Sequence, residues 1–383
     1  MNSSFMKWLE RNIALIIVVA GVAIIFLPRL LSLPAPAAFF DVSSGGPVGD
    51  AIGGITAPII GLVSIILLCL TLKAQKDADY HSQLENRIFQ LIKLHIENVD
   101  GMHSKYGDDD LNGQEVFKLI HSQVSSCANE IRPFIDLVPE SDLFSDQFAP
   151  QFDKLGLKVE KKQFALLDIA FNIVYIGVGR DTFDQLRSIL LLRYNEHLVD
   201  VVLGITRLRP VKSAEKTYAQ WMKWSRFSSE KKMSLLPLFR KSYEEMSEED
   251  RGMIKESFDL LHKGTVKKFY WGHQFRMSHY YRHLYMIIEY ITNEKILTDD
   301  EKYGYVKILR AQLSTTEQVL LMANSVTQLG GQWELFRNDD RTYISTYHLI
   351  KNIPQPTVFG VDYRKIYPRV KYEIGGGSWA REP

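Results

Sequence analysis

The run AIGGITAPIIGLVSIILLCLTL, Ala51 to Leu72, decides the architecture. It carries no charged side chain and, at 22 residues, gives enough helix to cross the ~30 Å hydrocarbon core of a bilayer with some tilt. Another uncharged run, Asn12 to Pro28, continues past Arg29 through Leu30, Leu31 and Leu33. It spans the bilayer if Arg29 snorkels to the far headgroups. A cleaved signal peptide is the competing account of that first run, since Lys7 and Arg11 precede it and Ala35 to Ala38 follow. The second run argues against cleavage, which would leave one stop-transfer helix and no evident extracellular cargo. Lys7 and Arg11 lie before the first run, Lys73 and Lys76 after the second, and Leu33 to Asp50 contains no Lys or Arg. The expected topology is therefore two-pass in a bacterial-type inner (plasma) membrane, with both termini cytoplasmic. Between the spans, Pro34, Pro36, Gly45, Gly46 and Pro47 make a short external loop. Gly53, Gly54, Pro58 and Gly61 in the second span either permit close helix packing or a kink, or are simply tolerated there.

The rest of the chain is polar, charged and rich in aromatics, so the whole-chain net charge of +1 averages over two unlike parts. The expected division is a two-helix anchor over 1–75, a helical stalk over 76–104, a cytoplasmic helical domain over 105–354 and a C-terminal extension over 355–383. In the stalk, Leu84, Ile88, Leu91 and His95 share one helical face, suited to self-association or to packing on its own domain. Cys69 and Cys127 are the only cysteines, which excludes a disulfide framework or a Cys-rich metal site and fits a reducing compartment.

From Gly107, the string GDDDLNG matches the first half of a calcium loop at Asp108, Asp110, Asn112 and Gly113, but Leu119 stands where a bidentate Glu is needed. The segment reads as a loop capping a helix from Gln114 to Phe134. Helical periodicity recurs over Phe164–Val178, Phe183–Leu203, Glu249–Leu261, Val266–Tyr290 and Thr298–Thr327, and strand-like alternation is confined to Thr357–Ile374. The fold class is all-α or nearly so.

Basic residues crowd Arg207 to Lys241, interleaved with Tyr218, Trp221, Trp224 and Phe227. Lys223, Trp224, Arg226, Lys231 and Lys232 could grip nucleic acid or lie on anionic lipid; a solvated basic face beside the acidic run Glu244–Asp250 is the plainer account.

The segment WGHQFRMSHYYRHLY, Trp271 to Tyr285, is the richest in chemistry, and no Asp or Glu occurs from Leu260 to Ile288. On one helix, Arg276, His279 and His283 share a face and Arg282 projects beside them. These four are the candidate catalytic residues. Arg276 and His283 also have an Arg, six residues, His spacing, similar to the looser form of the HEPN ribonuclease motif. There, motifs paired across a dimer use His for acid–base work and Arg for phosphate, without metal. The competing account is structural, with His, Arg and Tyr of this helix satisfied by Glu289, Glu317 or Asp168. His279 and His283 have zinc-compatible spacing, but no neighbouring carboxylate completes the site in sequence. No Walker loop, dinucleotide fingerprint, nucleophile elbow or His-Glu-x-x-His motif occurs, and no cofactor or metal is expected.

The strings HYYRHLY (His279–Tyr285), YVKILRAQLSTTEQVLLMANS (Tyr305–Ser325) and HLIKNIP (His348–Pro354) resemble the phage abortive-infection family of AbiC type. FQLIKLHIENV, Phe89–Val99, is similar to that family's opening helix, so the resemblance covers about Leu84 to Pro354. It implies a bacterial antiphage protein that arrests or kills the infected host, and it supplies no established catalytic residues. By motif match it marks His279, Arg282, Tyr285, Arg310, Gln312, Glu317 and Asn324, whereas His283 and Met322 fall where variation is expected. The expected function is a membrane-anchored effector, by RNA cleavage or, alternatively, as a non-enzymatic membrane effector or scaffold. The expected partners are the membrane, a further copy of the chain, RNA or a phage component, and an operon neighbour.

Overall fold

In a computed structural model of the chain, the described residues are 22, 26, 45–106, 109–240, 247, 248, 251 and 268–373. They form two compact units, Met1–Phe89 and Gln90–Pro383, with the boundary inside the expected stalk. The first helix, α1 (Gly45–Asp100), passes through that boundary. It begins at Gly45, so the last part of the expected external loop is helical.

Within the first unit, α1 contains a stretch long and apolar enough to cross a membrane, and none of its most apolar window is buried. Ile60, Leu62, Ile65, Leu68 and Leu72 present large apolar side chains to the surroundings. The hydroxyls of Ser64 and Thr71 donate back to the carbonyls of Ile60 and Leu67, at 2.8 and 2.9 Å. Polar groups on an apolar helix are satisfied in this way without an outside partner. This is the single membrane-length helix among the described residues. The first expected span lies outside them except for Val22 and Phe26, both helical and exposed.

The second unit starts in the last part of α1, where Ile92, His95 and Val99 are buried. Of the expected stripe Leu84, Ile88 and His95 are buried, whereas Leu91 is half-buried and its neighbour Ile92 is buried instead. A hairpin follows, β1 (His103–Tyr106) against β2 (Asp109–Asn112), antiparallel. It replaces the expected loop because Asp110 and Asn112 turn to His103: a carboxylate oxygen lies 2.9 Å from its Nε2, and Asn112 Oδ1 lies 3.0 Å from its Nδ1.

Next come α2 (Gln114–Leu137), α3 (Ala149–Lys154), α4 (Lys161–Ile176), α5 (Arg180–Leu191), α6 (Glu196–Leu208), α7 (Glu215–Ser225) and α8 (Ser229–Leu235). After the gap in the described residues come α9 (Gln274–Asn293), α10 (Asp299–Gln312), α11 (Thr315–Val326) and the short α12 (Tyr343–Thr346). Helix α4 is the hub. Every residue from Phe164 to Ile176 is buried, as expected of a helix apolar on all sides, and α2, α5, α9 and α11 pack around it.

Two polar residues interrupt that hub, and they bond to each other as well as to their surroundings. Asp168 Oδ2 accepts from Arg193 Nη1 at 2.8 Å and from the Tyr194 hydroxyl at 2.6 Å, and its Oδ1 accepts from Asn172 at 2.7 Å. Arg193 is sandwiched between the rings of Phe148 and Phe336. Asp168 therefore serves Arg193 and Tyr194, not the 271–285 segment for which it was a candidate partner.

The helix expected over Phe183–Leu203 is divided for the same reason. Arg193 and Tyr194 must leave the helical path to reach Asp168, and Asn195 then caps α6 by accepting from the His197 amide. Thr298–Thr327 divides at Ser314, whose side chain and Glu317 form a capping box that starts α11. The start of Val266–Tyr290 is extended where described, because the backbone of Tyr270 and His273 bonds to that of Val178 and Tyr175 around the end of α4. The expected helix Glu249–Leu261 lies outside the described residues except for Arg251. The described part of Thr357–Ile374 forms no strand despite its alternation; it holds one bridge, Val358 to Val361, and a short turn of helix at Tyr363–Lys365.

Candidate functional site

Helix α9 carries the segment singled out from sequence, and the fold fixes its start firmly. Gly177, at the end of α4, and Gly272 both have φ of +95° and meet backbone to backbone. A Cβ on Gly177 would lie 2.6 Å from the Trp271 carbonyl group, and one on Gly272 would strike the Ile176 carbonyl oxygen. This close crossing delivers His273 to the N-terminus of α9, where its Nε2 lies 2.7 Å from Gln123 Oε1. Gln123 in turn donates to the Phe269 carbonyl at 3.1 Å. Burial, then the neighbouring Arg276, pushes the His273 pKa down to about 3.

The inner face of α9 consists of Met277, Tyr280, Tyr281, Leu284, Ile287, Ile288 and Ile291. Its tyrosines are anchored across the core: Tyr280 donates to Glu317 Oε1 and Tyr281 to the Leu320 carbonyl, each at 3.0 Å. Glu317, 1% exposed, also accepts from Gln114 Nε2 and from the Ser314 amide, both at 2.8 Å. One carboxylate thus joins α2, α9 and the start of α11.

The four candidate catalytic residues separate by depth. Arg276 is half-buried, and its Nε donates to the His103 carbonyl at 2.7 Å, which holds the hairpin to α9. His279 and Arg282 are exposed, beside Phe275 at 93% exposure and Met286 at 40%. His283 lies between surface and core. Its ring is nearly parallel to that of His279 at 6.3 Å between centroids, and to that of the buried His95 at 5.6 Å. The three imidazoles form a ladder running from solvent inward. Burial, then the His283 ring, lowers His95 to about 4; burial, then His279, lowers His283 from the ordinary value. His283 is therefore neutral near pH 7, the state in which an imidazole accepts a proton. The periodicity of α1 puts His95 on its buried stripe but gives no sign of its meeting His283, a contact between residues 188 positions apart.

The remaining motif positions are mostly architectural. Tyr285 accepts from Arg337 Nη1 at 2.6 Å and stacks edge-on with Trp333 and Tyr343. Arg310 is buried and donates to the Tyr347 carbonyl at 2.8 Å. Asn324 is buried and accepts from the Trp333 indole at 3.2 Å. Gln312 is exposed. Among the described residues no cluster of three or more His, Cys, Asp or Glu could hold a metal ion.

In the basic segment, Lys223, Arg226 and Lys231 are exposed and Lys232 is half-buried. Trp224 is 1% exposed, packed with Phe134, Ile205, Leu208 and Leu235, so its ring is part of a core and not an open stacking platform.

A family model described as "Putative phage abortive infection protein" matches residues 272–358, from the start of α9 past α12. The segment similar to that family's opening helix, Phe89–Val99, lies outside the matched residues. No curated protein and no solved structure matches the chain.

Proposed function

From that phage abortive-infection match over 272–358, we propose that this chain is a membrane-anchored antiphage effector whose exposed α9 surface acts on RNA in the cytoplasm. The observation that carries the reading is the joint placement of His279 and Arg282 on the solvent side of the matched region, backed by the neutral His283. The apolar part of α1 supports the anchor.

In this reading a second copy brings its own α9 opposite the first. One imidazole takes the proton from a ribose 2′-hydroxyl as that oxygen attacks the adjacent phosphorus. The imidazole from the facing copy gives a proton to the departing 5′-oxygen, and Arg282 stabilises the charge that builds on the phosphoryl oxygens. The products are a 2′,3′-cyclic phosphate and a 5′-hydroxyl, and the imidazoles alone carry the protons.

The test is phage challenge of cells carrying the wild-type chain or His279→Ala/His283→Ala at matched membrane levels, with survival and RNA integrity both followed. Protection and RNA fragmentation should disappear together. Intact protection by the double variant would refute the RNA-cleaving reading.

A second reading has one observation in its favour. An added Cβ at Gly53, Gly54 or Gly61 would meet no atom of the described residues within 4 Å, which leaves room beside these glycines for close approach by another membrane helix. Association there would perturb the bilayer, and depolarisation on induction, abolished by Gly53→Leu/Gly54→Leu/Gly61→Leu, is its expected signature.

A further inference from the structure

Away from α9, a cavity of about 310 Å³ lies among α2, α6, α7 and α8. Its volume is at the small end of the range of about 300–1,000 Å³ usual for small-molecule sites. Its polar lining includes Glu130, Arg209, Ser229 and Lys232, and Trp221 and Trp224 provide aromatic walls.

The hydrogen bonds inside this lining leave donors over. Arg209 Nη1 donates to Glu130 Oε2 at 3.1 Å and to the Tyr270 oxygen at 3.0 Å, while its Nε is buried with no partner and its Nη2 makes no hydrogen bond among the described residues. Lys232 Nζ makes one bond there, to the Ser225 carbonyl at 2.9 Å, and the Ser229 hydroxyl makes none. On the acceptor side, Glu130 Oε2 is taken up by Arg209 and by the Tyr270 hydroxyl at 2.8 Å, and Oε1 accepts nothing among the described residues. Among the described lining residues two cations thus face one carboxylate inside a partly desolvated space; the rings of Phe269 and Trp221, 3.9 and 4.8 Å from the Arg209 guanidinium carbon, offset part of that imbalance and an anion corrects the rest. Burial is felt by both signs: it lowers the Lys232 pKa, against an opposing pull from Glu130, and raises that of Glu130.

An anion alone leaves the rest of the lining idle. The ring of the half-buried Trp221 is already covered on one side by the Arg209 guanidinium, whose carbon lies 4.8 Å from the centroid, and its remaining surface belongs to the same lining as the available carboxylate oxygen, which suits a planar ring carrying N–H donors. We propose that the cavity bounded by Glu130, Arg209, Trp221 and Lys232 binds one nucleoside monophosphate unit, with phosphate on Arg209, Lys232 and Ser229 and an amino-bearing base on the surface of Trp221 that Arg209 leaves uncovered, its amino group towards Glu130 Oε1. A free mononucleotide and the terminal nucleotide of an RNA share this chemistry. The volume accommodates one such unit.

The site is joined to α9. Tyr270, bonded to both Glu130 and Arg209, stands three residues before His273, and Gln123 ties the adjoining Phe269 carbonyl to that histidine. An occupant engaging Arg209 therefore sits one hydrogen bond from the segment that leads into the candidate functional helix.

The test is titration of the purified full chain in detergent with AMP, GMP, CMP and UMP, with inorganic phosphate, adenosine and a short single-stranded RNA as separate arms. Saturable binding of an amino-bearing mononucleotide is expected with Kd below about 100 µM. Lys232→Met and Trp221→Ala should each weaken it about ten-fold or more, and phosphate or adenosine alone should bind about ten-fold more weakly than the nucleotide. Ser229→Glu, which puts a negative charge at the phosphate position, supplies the answer if either of the other variants melts below wild type. A free mononucleotide that binds assigns the site to a soluble ligand; RNA that binds in a Lys232-dependent way while free mononucleotides do not assigns it to a strand end. No saturable binding by any arm, or binding indifferent to Lys232→Met, Trp221→Ala and Ser229→Glu, overturns the proposal. Since neither Lys232 nor Trp221 lies on α9, the outcome is separable from that of the RNA-cleaving reading.

Discussion

Single residues set how much of the second unit survives perturbation, and Glu317 is the sharpest case. Its carboxylate accepts from Tyr280, Gln114 and the Ser314 cap at once, with 1% exposure. Glu317→Ala strands these donors and removes a helix cap, a loss of about 3 kcal/mol, whereas Glu317→Gln keeps an acceptor and should lose about half as much. Thermal melts of the full chain in detergent separate the two. The buried imidazoles give the molecule a defined acid sensitivity. His95, facing Tyr280 and His283, is held down to about 4, and His273, facing Gln123 and Arg276, to about 3, both against 6.5. Below pH 6.5 the unfolded chain takes up protons that the folded chain refuses. The stability attached to these residues is therefore complete above that pH and falls progressively towards about pH 3. A melting temperature that drops between about pH 7 and about pH 5, with a shallower drop in His95→Gln, is the expected record. A flat profile would show that neither histidine is held neutral.

At the scale of elements, glycine positions separate what a helix tolerates from what a crossing requires. Gly272→Ala forces a Cβ into the Ile176 carbonyl at a backbone angle that only glycine adopts readily, and should cost more than about 3 kcal/mol and most of the folded yield. Gly304 lies inside α10, and an added Cβ would meet nothing of the described residues within 4 Å, so Gly304→Ala should stabilise by about 0.5–1 kcal/mol. Equal melting temperatures for the two variants would contradict the crossing. Helix periodicity was legible wherever one face is buried, as in α2 and α9, because core and surface residues alternate with the helical turn. The breaks were legible only in part. Ser314-Thr-Thr-Glu317 and Thr298-Asp-Asp-Glu301 are capping boxes visible in the string itself, and Asp299–Glu301 carry the charge expected at a helix start. The interruption at Arg193–Asn195 is different in kind: it exists because Asp168 must be neutralised from 25 residues away, a demand of tertiary structure. The hairpin at His103–Asn112 and the His95–His283 contact depended on such pairing too.

For the whole molecule, the residue pattern led to the correct class, a mainly helical chain with a membrane-length apolar helix, and to the family whose model matches 272–358. Neither the separation of His279 and Arg282 from Arg276 by depth nor the cavity at Arg209 was legible, since both arise from how helices meet. The proposed anchor makes its own prediction. The chain should stay in the membrane fraction through alkaline carbonate washing, and Ile65→Asp/Leu68→Asp, which puts two charges into the apolar run, should release it once residues 1–33, which hold the other expected span, are also deleted. The measurement that bears most directly on the central claim is survival of infected cultures at two phage loads. With few cells infected, a culture carrying the chain should keep growing while a control culture lyses. With every cell infected, the carrying culture should also collapse, releasing few phage, because each infected cell is sacrificed. Regrowth of fully infected cells, or growth no different from the control at the low load, would contradict an abortive-infection effector.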